Sequence, residues 1–281
     1  MNKNKAILFM IISVIAFAIM NAVVKELNSF SVYQIVFFRS FGTLVITIPL
    51  TIKSKTLFFG KNKKLLFLRG FLGVISLTCF FQSLNYLSIG TAVSLRYTSP
   101  IFAAIFSLFF LKEKIKPIQW FLFLIAFIGV LIIKGFGTEL NSLGLLLILL
   151  SAISLGFIFI VIRMIGNSEN PLVIINYFML MAFIFGGLMS INNWKNPSLD
   201  QWLLLLSLGV FGFIGQLLMT KALQLYKTTV IAPLKYLEAV FVIIIGATWF
   251  KEIYTLWTLL GICLIFSGLL YNIYITRTKK D

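Results

Sequence analysis

Long apolar runs follow one another from Ala6 to Ile275 with only short interruptions, and this pattern leaves few folds open. A helix needs about 20 apolar residues to cross the hydrocarbon core of a bilayer. The runs fall at roughly 6–24, 31–52, 66–87, 91–111, 117–134, 142–162, 171–191, 202–223, 229–250 and 254–275. Lipid offers backbone groups no hydrogen bonds, so only helices and closed barrels span it. Barrel strands alternate in polarity, whereas these runs are continuously apolar. The chain therefore reads as an all-α integral membrane protein of ten transmembrane helices. The first run, Ala6 to Val24, is too long for a signal-peptide core and reads as an uncleaved helix.

The net charge of +16 would suggest nucleic acid or acidic partners in a soluble protein. Here the basic residues gather in alternate loops. Lys3, Lys5, Lys53, Lys55, Lys61, Lys63, Lys64, Lys112, Lys114, Lys116, Arg163, Lys227, Arg277, Lys279 and Lys280 fall on one side, against Lys25, Lys134, Lys195 and Lys251 on the other. The positive-inside rule then places both termini in the cytoplasm, with the plasma membrane (the inner membrane of a bacterium) as the expected location. No nucleic-acid motif is visible. With no His and only Cys79 and Cys263, the chain offers no metal-ligand set and no cofactor is expected; the thiols read as buried and apolar. No GxxxxGK[ST] loop is present to bind ATP, and clustered catalytic side chains are lacking, so the chain does not read as an enzyme.

An internal repeat organises the runs. RYTSPIFAAIFSLFFLKE from Arg96 aligns without a gap to KYLEAVFVIIIGATWFKE from Lys235. At the same 139-residue offset, Tyr97 meets Tyr236, Gly129 meets Gly268, Gly70 and Gly73 meet Gly209 and Gly212, and Lys112–Glu113 meets Lys251–Glu252. Each unit, 1–138 and 139–281, holds five runs. An odd number makes the second copy enter from the opposite side, giving two inverted five-helix repeats around a central cavity. Secondary transporters use this plan, with substrate bound near mid-membrane between the repeats.

LRYTSPIFAAIFSLFFLKEKI, FFRS in the second run, LRGFLGV at the third and APLKYLEAVFVIIIGATWFKE together resemble the drug/metabolite transporter superfamily, EamA type. The APxxYxE pattern at Ala232, Pro233, Tyr236 and Glu238 resembles the branch that includes S-adenosylmethionine and riboflavin transporters. The resemblance covers essentially the whole chain. It implies ten helices in an inverted-repeat basket and a small-molecule substrate. Substrate and direction stay open: a permease for a small polar, anionic or zwitterionic metabolite leads. An amino-acid or drug exporter of the same fold, or a non-transporting scaffold, is the alternative.

Ionisable groups inside a bilayer are costly and point to function. Arg39 lies about 13 Å into its run at 1.5 Å per residue, either paired structurally or facing substrate. Arg96 and Lys235 either snorkel to their nearer surfaces or flank one anionic site from opposite sides. Glu238, one turn from Lys235, either neutralises it or serves as the coupling carboxylate for a proton. Tyr97 and Tyr236 are candidates to stack on or hydrogen-bond a substrate, and Asn85 is a polar candidate for the same cavity. Asn21, Gln82 and Gln216 rank below the ionised residues. Pro100 and Pro233 interrupt their helices and are candidate hinges, with Ser94, Ser99, Ala103 and Ala104 small enough for close helix approach.

Overall fold

The computed structural model describes residues 3–27, 29–57, 59–83, 85–87, 92, 95–134, 141–251 and 256–277. Ser94, Glu252, Lys279 and Lys280, named above, lie outside them. Among the described residues the chain is all-helical. Its helices are α1 (Lys3–Glu26), α2 (Val32–Lys53), α3 (Lys63–Ser83), α4 (Ser99–Phe110), α5 (Pro117–Lys134), α6 (Ser142–Ile165), α7 (Pro171–Ser190) and α8 (Leu199–Leu225). A one-turn helix (Thr228–Ile231) and a 3-10 turn (Ala232–Tyr236) then lead into α9 (Leu237–Trp249), and α10 is Leu256–Arg277.

Local sequence sets the helix starts. Ser31 accepts a hydrogen bond from Gln34 N–H ahead of α2, Asn141 from Leu143 and Gly144 ahead of α6, and Asn170 from Leu172 ahead of α7. Ser198 and Gln201 form a capping box for α8. Pro117 and Pro171 sit at first helical positions, where no amide hydrogen is needed.

Seven helical stretches among the described residues are long and apolar enough to cross a membrane, the last being the broken segment Thr228–Trp249. Ser99–Phe110 and Pro117–Ile132 are apolar but shorter. The exposure pattern is the reverse of a soluble protein's. Phe109, Leu203 and Trp257 are about two-thirds or more exposed, while Ser13, Thr43, Thr47, Ser151 and Thr220 are fully buried. Three of these hydroxyls find partners inside: Ser13 donates to Gly215 O at 2.6 Å, Thr43 to Gly209 O at 3.1 Å, and Ser151 to Ser76 O at 2.6 Å. Such apolar outer faces and inward-facing hydroxyls suit a multi-pass membrane protein. The two cysteines are free. Neither is the buried thiol expected, since Cys79 is half-buried and Cys263 is exposed on α10.

The main packing partners are α1 with α8, α3 with α6, α2 with α7, α5 with α10, α2 with α8, α3 with α7, α1 with α9 and α4 with α6. Every one of these pairs joins one of the first five helices to one of the last five. Glycines set the closest approaches. A Cβ on Gly209 of α8 would lie 2.5 Å from the Cα of Gly42 in α2. One on Gly129 of α5 would lie 2.6 Å from Gly261 O, and one on Gly268 of α10 would lie 2.9 Å from Leu122 O.

The loops tie the helix ends into two faces. On one, both Glu113 carboxylate oxygens accept N–H bonds at 3.0 Å, from Thr228 and Thr229. On that same face Glu169 accepts from the Lys61 and Asn62 amides, and Arg163 donates to Gln224 O at 2.6 Å. On the other face Gln34 and the Lys195 backbone exchange hydrogen bonds, and Lys195 Nζ donates to Ser29 O at 2.7 Å. Lys112 and Lys251, one after the end of α4 and one after the end of α9, share a left-handed φ of 52°. A residue just past a helix C-terminus takes this conformation to satisfy the last carbonyls.

Candidate substrate site

The segment that replaces a continuous ninth span positions the centre of the molecule. Pro233 lacks an amide hydrogen, so an α-helix through it loses a bond. The chain instead runs as a short helix, then a 3-10 turn holding Lys235 and Tyr236, then α9 beginning next to Glu238. Pro100 occupies the corresponding role at the start of α4. Both prolines therefore open helical pieces rather than kink the middle of one, because the fixed φ of proline suits a first turn.

Glu238 is 6% exposed. It pairs with Lys235 Nζ one turn earlier and accepts a 2.8 Å hydrogen bond from Asn21 Nδ2 of α1. Lys235 Nζ also stands 4.2 Å from the centre of the Phe17 ring, a cation–π contact. Tyr97 and Tyr236 meet edge to face with ring centres 6.4 Å apart. Tyr236 is fully buried, and its hydroxyl has no partner among the described residues. Arg96 lies over Phe80 at 4.2 Å, with its Nε buried and unpartnered. Arg39 packs where Gly212 has no side chain, a Cβ there reaching 3.3 Å from Arg39 Nε, which is likewise unpartnered. Arg39 is near enough to feel the charges of Arg96 and Glu238, and Lys235 those of Arg96 and Arg39.

Arg39, Arg96, Tyr97, Lys235, Tyr236 and Glu238 thus come together, and Pro100 and Pro233 border them. Asn85 does not join. It lies exposed beyond the end of α3 and donates to Gln82 at 3.1 Å, because α3 ends at Ser83 instead of continuing to residue 87. Asn21, ranked low from sequence, is a direct partner of Glu238.

The sequence reading also passes over Arg69. This residue is 1% exposed in α3, donates from Nη2 to Gln216 Oε1 of α8 at 3.0 Å, and lies 4.3 Å from the Phe178 ring. Its Nε and Nη1 are buried without partners, and Arg39 is its electrostatic neighbour. Near the start of its helix it looks like a snorkelling charge. The available signal was the glycine pair Gly70 and Gly73 beside it. A Cβ on Gly73 would lie 2.7 Å from Arg69 Nη1 and 2.4 Å from the Phe178 ring.

Among the described residues the core thus gathers Arg39, Arg96 and Lys235 around the Glu238 carboxylate, with Arg69 as a further cation beside Arg39. A separate groove of about 570 Å³ runs between α5 and α10, lined by Phe121, Leu122, Ile125, Gly268 and Tyr271. No charged residue lines it.

The EamA-like transporter family matches the chain twice, over residues 4–135 and again over 142–274. A pseudopaline exporter from Pseudomonas aeruginosa is 30% identical over 281 residues, covering 99% of this chain and 98% of that protein. Human solute carrier family 35 member G1 is 26% identical, covering 92% of this chain and 76% of its own length. The S-adenosylmethionine uptake transporter of Rickettsia bellii is 27% identical, covering 86% and 84%. One solved crystal structure superposes over 100% of both chains with a TM-score of 0.88 at 13% identity, which is a likeness of fold.

Proposed function

Because the chain belongs to the EamA-like transporter family and is a membrane transporter rather than an enzyme, we propose that it is a secondary permease for a small anionic or zwitterionic metabolite. The reading places its ten helices in two inverted five-helix repeats, 1–138 and 139–281. It sets the chain in the plasma membrane with both termini cytoplasmic. The observation that carries the substrate class is the convergence of the partly buried Arg39, Arg96 and Lys235 on Glu238, the one buried carboxylate near them among the described residues. A buried charge without a partner is costly, and a substrate carboxylate would offset that cost.

Several features support the inverted repeat. The packing pairs fall into couples that exchange under the 139-residue shift: α1 with α8 answers α6 with α3, and α2 with α8 answers α7 with α3. The glycine contacts do likewise, since Gly129 facing Gly261 answers Gly268 facing Leu122. The left-handed Lys112 and Lys251 stand at matched positions.

In this reading Tyr97 and Tyr236 lie where the two repeats meet and contact the substrate between them. Pro100 and Pro233 are the hinges about which the flanking helical pieces tilt. Glu238 is the coupling carboxylate for a proton, acting as its pairing with Lys235 is made and broken. The basic loops on the face of Glu113 and Glu169 support reading that face as the cytoplasmic one.

The test is counterflow of labelled amino acids and carboxylic acids in liposomes carrying purified protein. Arg96→Gln and Lys235→Gln should each abolish the wild-type flux at an unchanged amount of inserted protein. Flux no greater than in protein-free liposomes would favour a scaffold. Full flux in both variants would return the cations to a snorkelling role.

A further inference from the structure

Among the described residues the charge of the core does not balance even when one anionic group is supplied. The fully buried Arg69 and the partly buried Arg39, Arg96 and Lys235 stand with one buried carboxylate, Glu238, and the Lys235–Glu238 pair already accounts for one cation. A single substrate carboxylate between Arg96 and Lys235 leaves Arg39 and Arg69 as neighbouring like charges, packed against Gly212 and Gln216 one turn apart on α8. Arginine does not lose its proton in proteins, so this repulsion cannot be relieved by neutralising one of them. Nor do the described residues supply a counter-ion to Arg69: Gln216 and Phe178, which contact it, are both neutral.

The arrangement around Arg69 is nonetheless a built one. The side chain is 1% exposed, fixed on one edge by Gln216 Oε1 at 3.0 Å and on its face by Phe178 at 4.3 Å. The two arginines pack directly on glycines, Arg69 Nη1 against Gly73 and Arg39 Nε against Gly212, where a Cβ would crowd them at 2.7 and 3.3 Å. What remains free is a set of buried donors, Nε and Nη1 of Arg69 with Nε of Arg39. A guanidinium held by a neutral acceptor and a ring, with other donors unpaired, is prepared for an anion. Charge-assisted hydrogen bonds to such an anion are about twice as strong as neutral ones.

We propose that Arg39 and Arg69, with Gln216 as the orienting acceptor, form a second anion subsite beside the Arg96–Lys235 subsite. The substrate is then a small molecule carrying at least two separate anionic groups, of the di- or tricarboxylate kind. This rests on the transporter reading above and narrows it, because a monocarboxylate or a simple zwitterion satisfies only one of the two subsites. The subsite lies between α2, α3 and α8, so its occupant contacts both halves of the chain. A doubly charged ligand bridges the two subsites and draws those halves together.

The experiment measures the thermal midpoint of the purified full-length protein in detergent against rising acetate, succinate and citrate, at constant ionic strength set with sodium chloride. A ligand that binds the folded state raises the midpoint. Succinate and citrate are expected to act at concentrations at least tenfold below acetate. Arg69→Gln is expected to erase that advantage, and Arg69→Lys to keep part of it. Equal potency of acetate and succinate on the wild type would overturn the second subsite. So would an Arg69→Gln protein, monodisperse on size exclusion, that retained the tenfold preference. Should Arg69→Gln not fold, Arg39→Gln carries the same expectation, and the wild-type ratio decides by itself. Acetate protection abolished by Arg96→Gln, with no gain from succinate, would leave the transport site standing and remove only this subsite. No protection beyond sodium chloride from any of the three would remove both.

Discussion

Replacing Glu238 by glutamine keeps the shape of the side chain and deletes its charge. The carboxylate pairs with Lys235 and accepts from Asn21, and the two charged side chains are only 12% and 8% exposed. Removing one member of a buried pair costs about 3–5 kcal/mol, because the surviving charge is stranded. The amide oxygen of glutamine still accepts one hydrogen bond, which recovers about 1 kcal/mol. The net loss is therefore about 2–4 kcal/mol. At roughly 2–4 °C per kcal/mol for a chain of this size class, the thermal midpoint should fall on the order of 5–10 °C. The double variant Lys235→Met with Glu238→Gln leaves no stranded charge and should recover most of that loss. A double-mutant cycle isolates the pairwise term. The same single variant, reconstituted in liposomes, separates the two roles of the carboxylate. Proton coupling expects downhill exchange to survive while pH-driven accumulation disappears. A midpoint within about 1 °C of wild type would mean that the pair is solvated and carries no burial cost. Accumulation against a gradient under an imposed pH difference would show that Glu238 is not the coupling group.

Three further expectations follow from single contacts. Gly209→Val should sharply lower the yield of folded protein, since its Cβ falls 2.5 Å from backbone in α2, while Gly166→Ala, with nothing within 4 Å, should fold and lose only about 1–3 kcal/mol from backbone strain at φ 53°, ψ −137°. Glu113→Ala removes the acceptor for Thr228 and Thr229 and should cost about 2–3 kcal/mol, read as a lower thermal midpoint, with Glu113→Gln losing less; equal midpoints would mean that this face is not held by the carboxylate. A reporter fused after Lys280 should give a cytoplasmic signal, and an external signal from fully inserted protein would remove the ten-span arrangement.

Hydropathy alone determined that this chain is helical and membrane-embedded, because the bilayer leaves the backbone no other way to satisfy its polar groups. The constant offset linking Arg96 to Lys235 and Gly129 to Gly268 was legible for a related reason. Both a cation in a span and a glycine at a helix crossing are expensive to misplace. Depth within the span marked Arg39 and Glu238 as unusual, while Arg96 and Lys235 stood shallow enough to snorkel and only their matched repeat positions suggested a shared site. Tertiary structure decided the rest. Helix length along the chain says how deep a residue lies but not which way it faces, so Arg69 near a helix start reads as a surface charge until α8 brings Gln216 against it and α7 brings Phe178. Asn85 failed in the opposite sense. Its apolar flanks extend the third span on paper, yet the helix ends at Ser83 and leaves it exposed. Partners 217 residues apart, as Asn21 and Glu238 are, depend on the crossing of α1 with α9. Such crossings are fixed by side-chain packing between helices, and no local pattern in either segment encodes them.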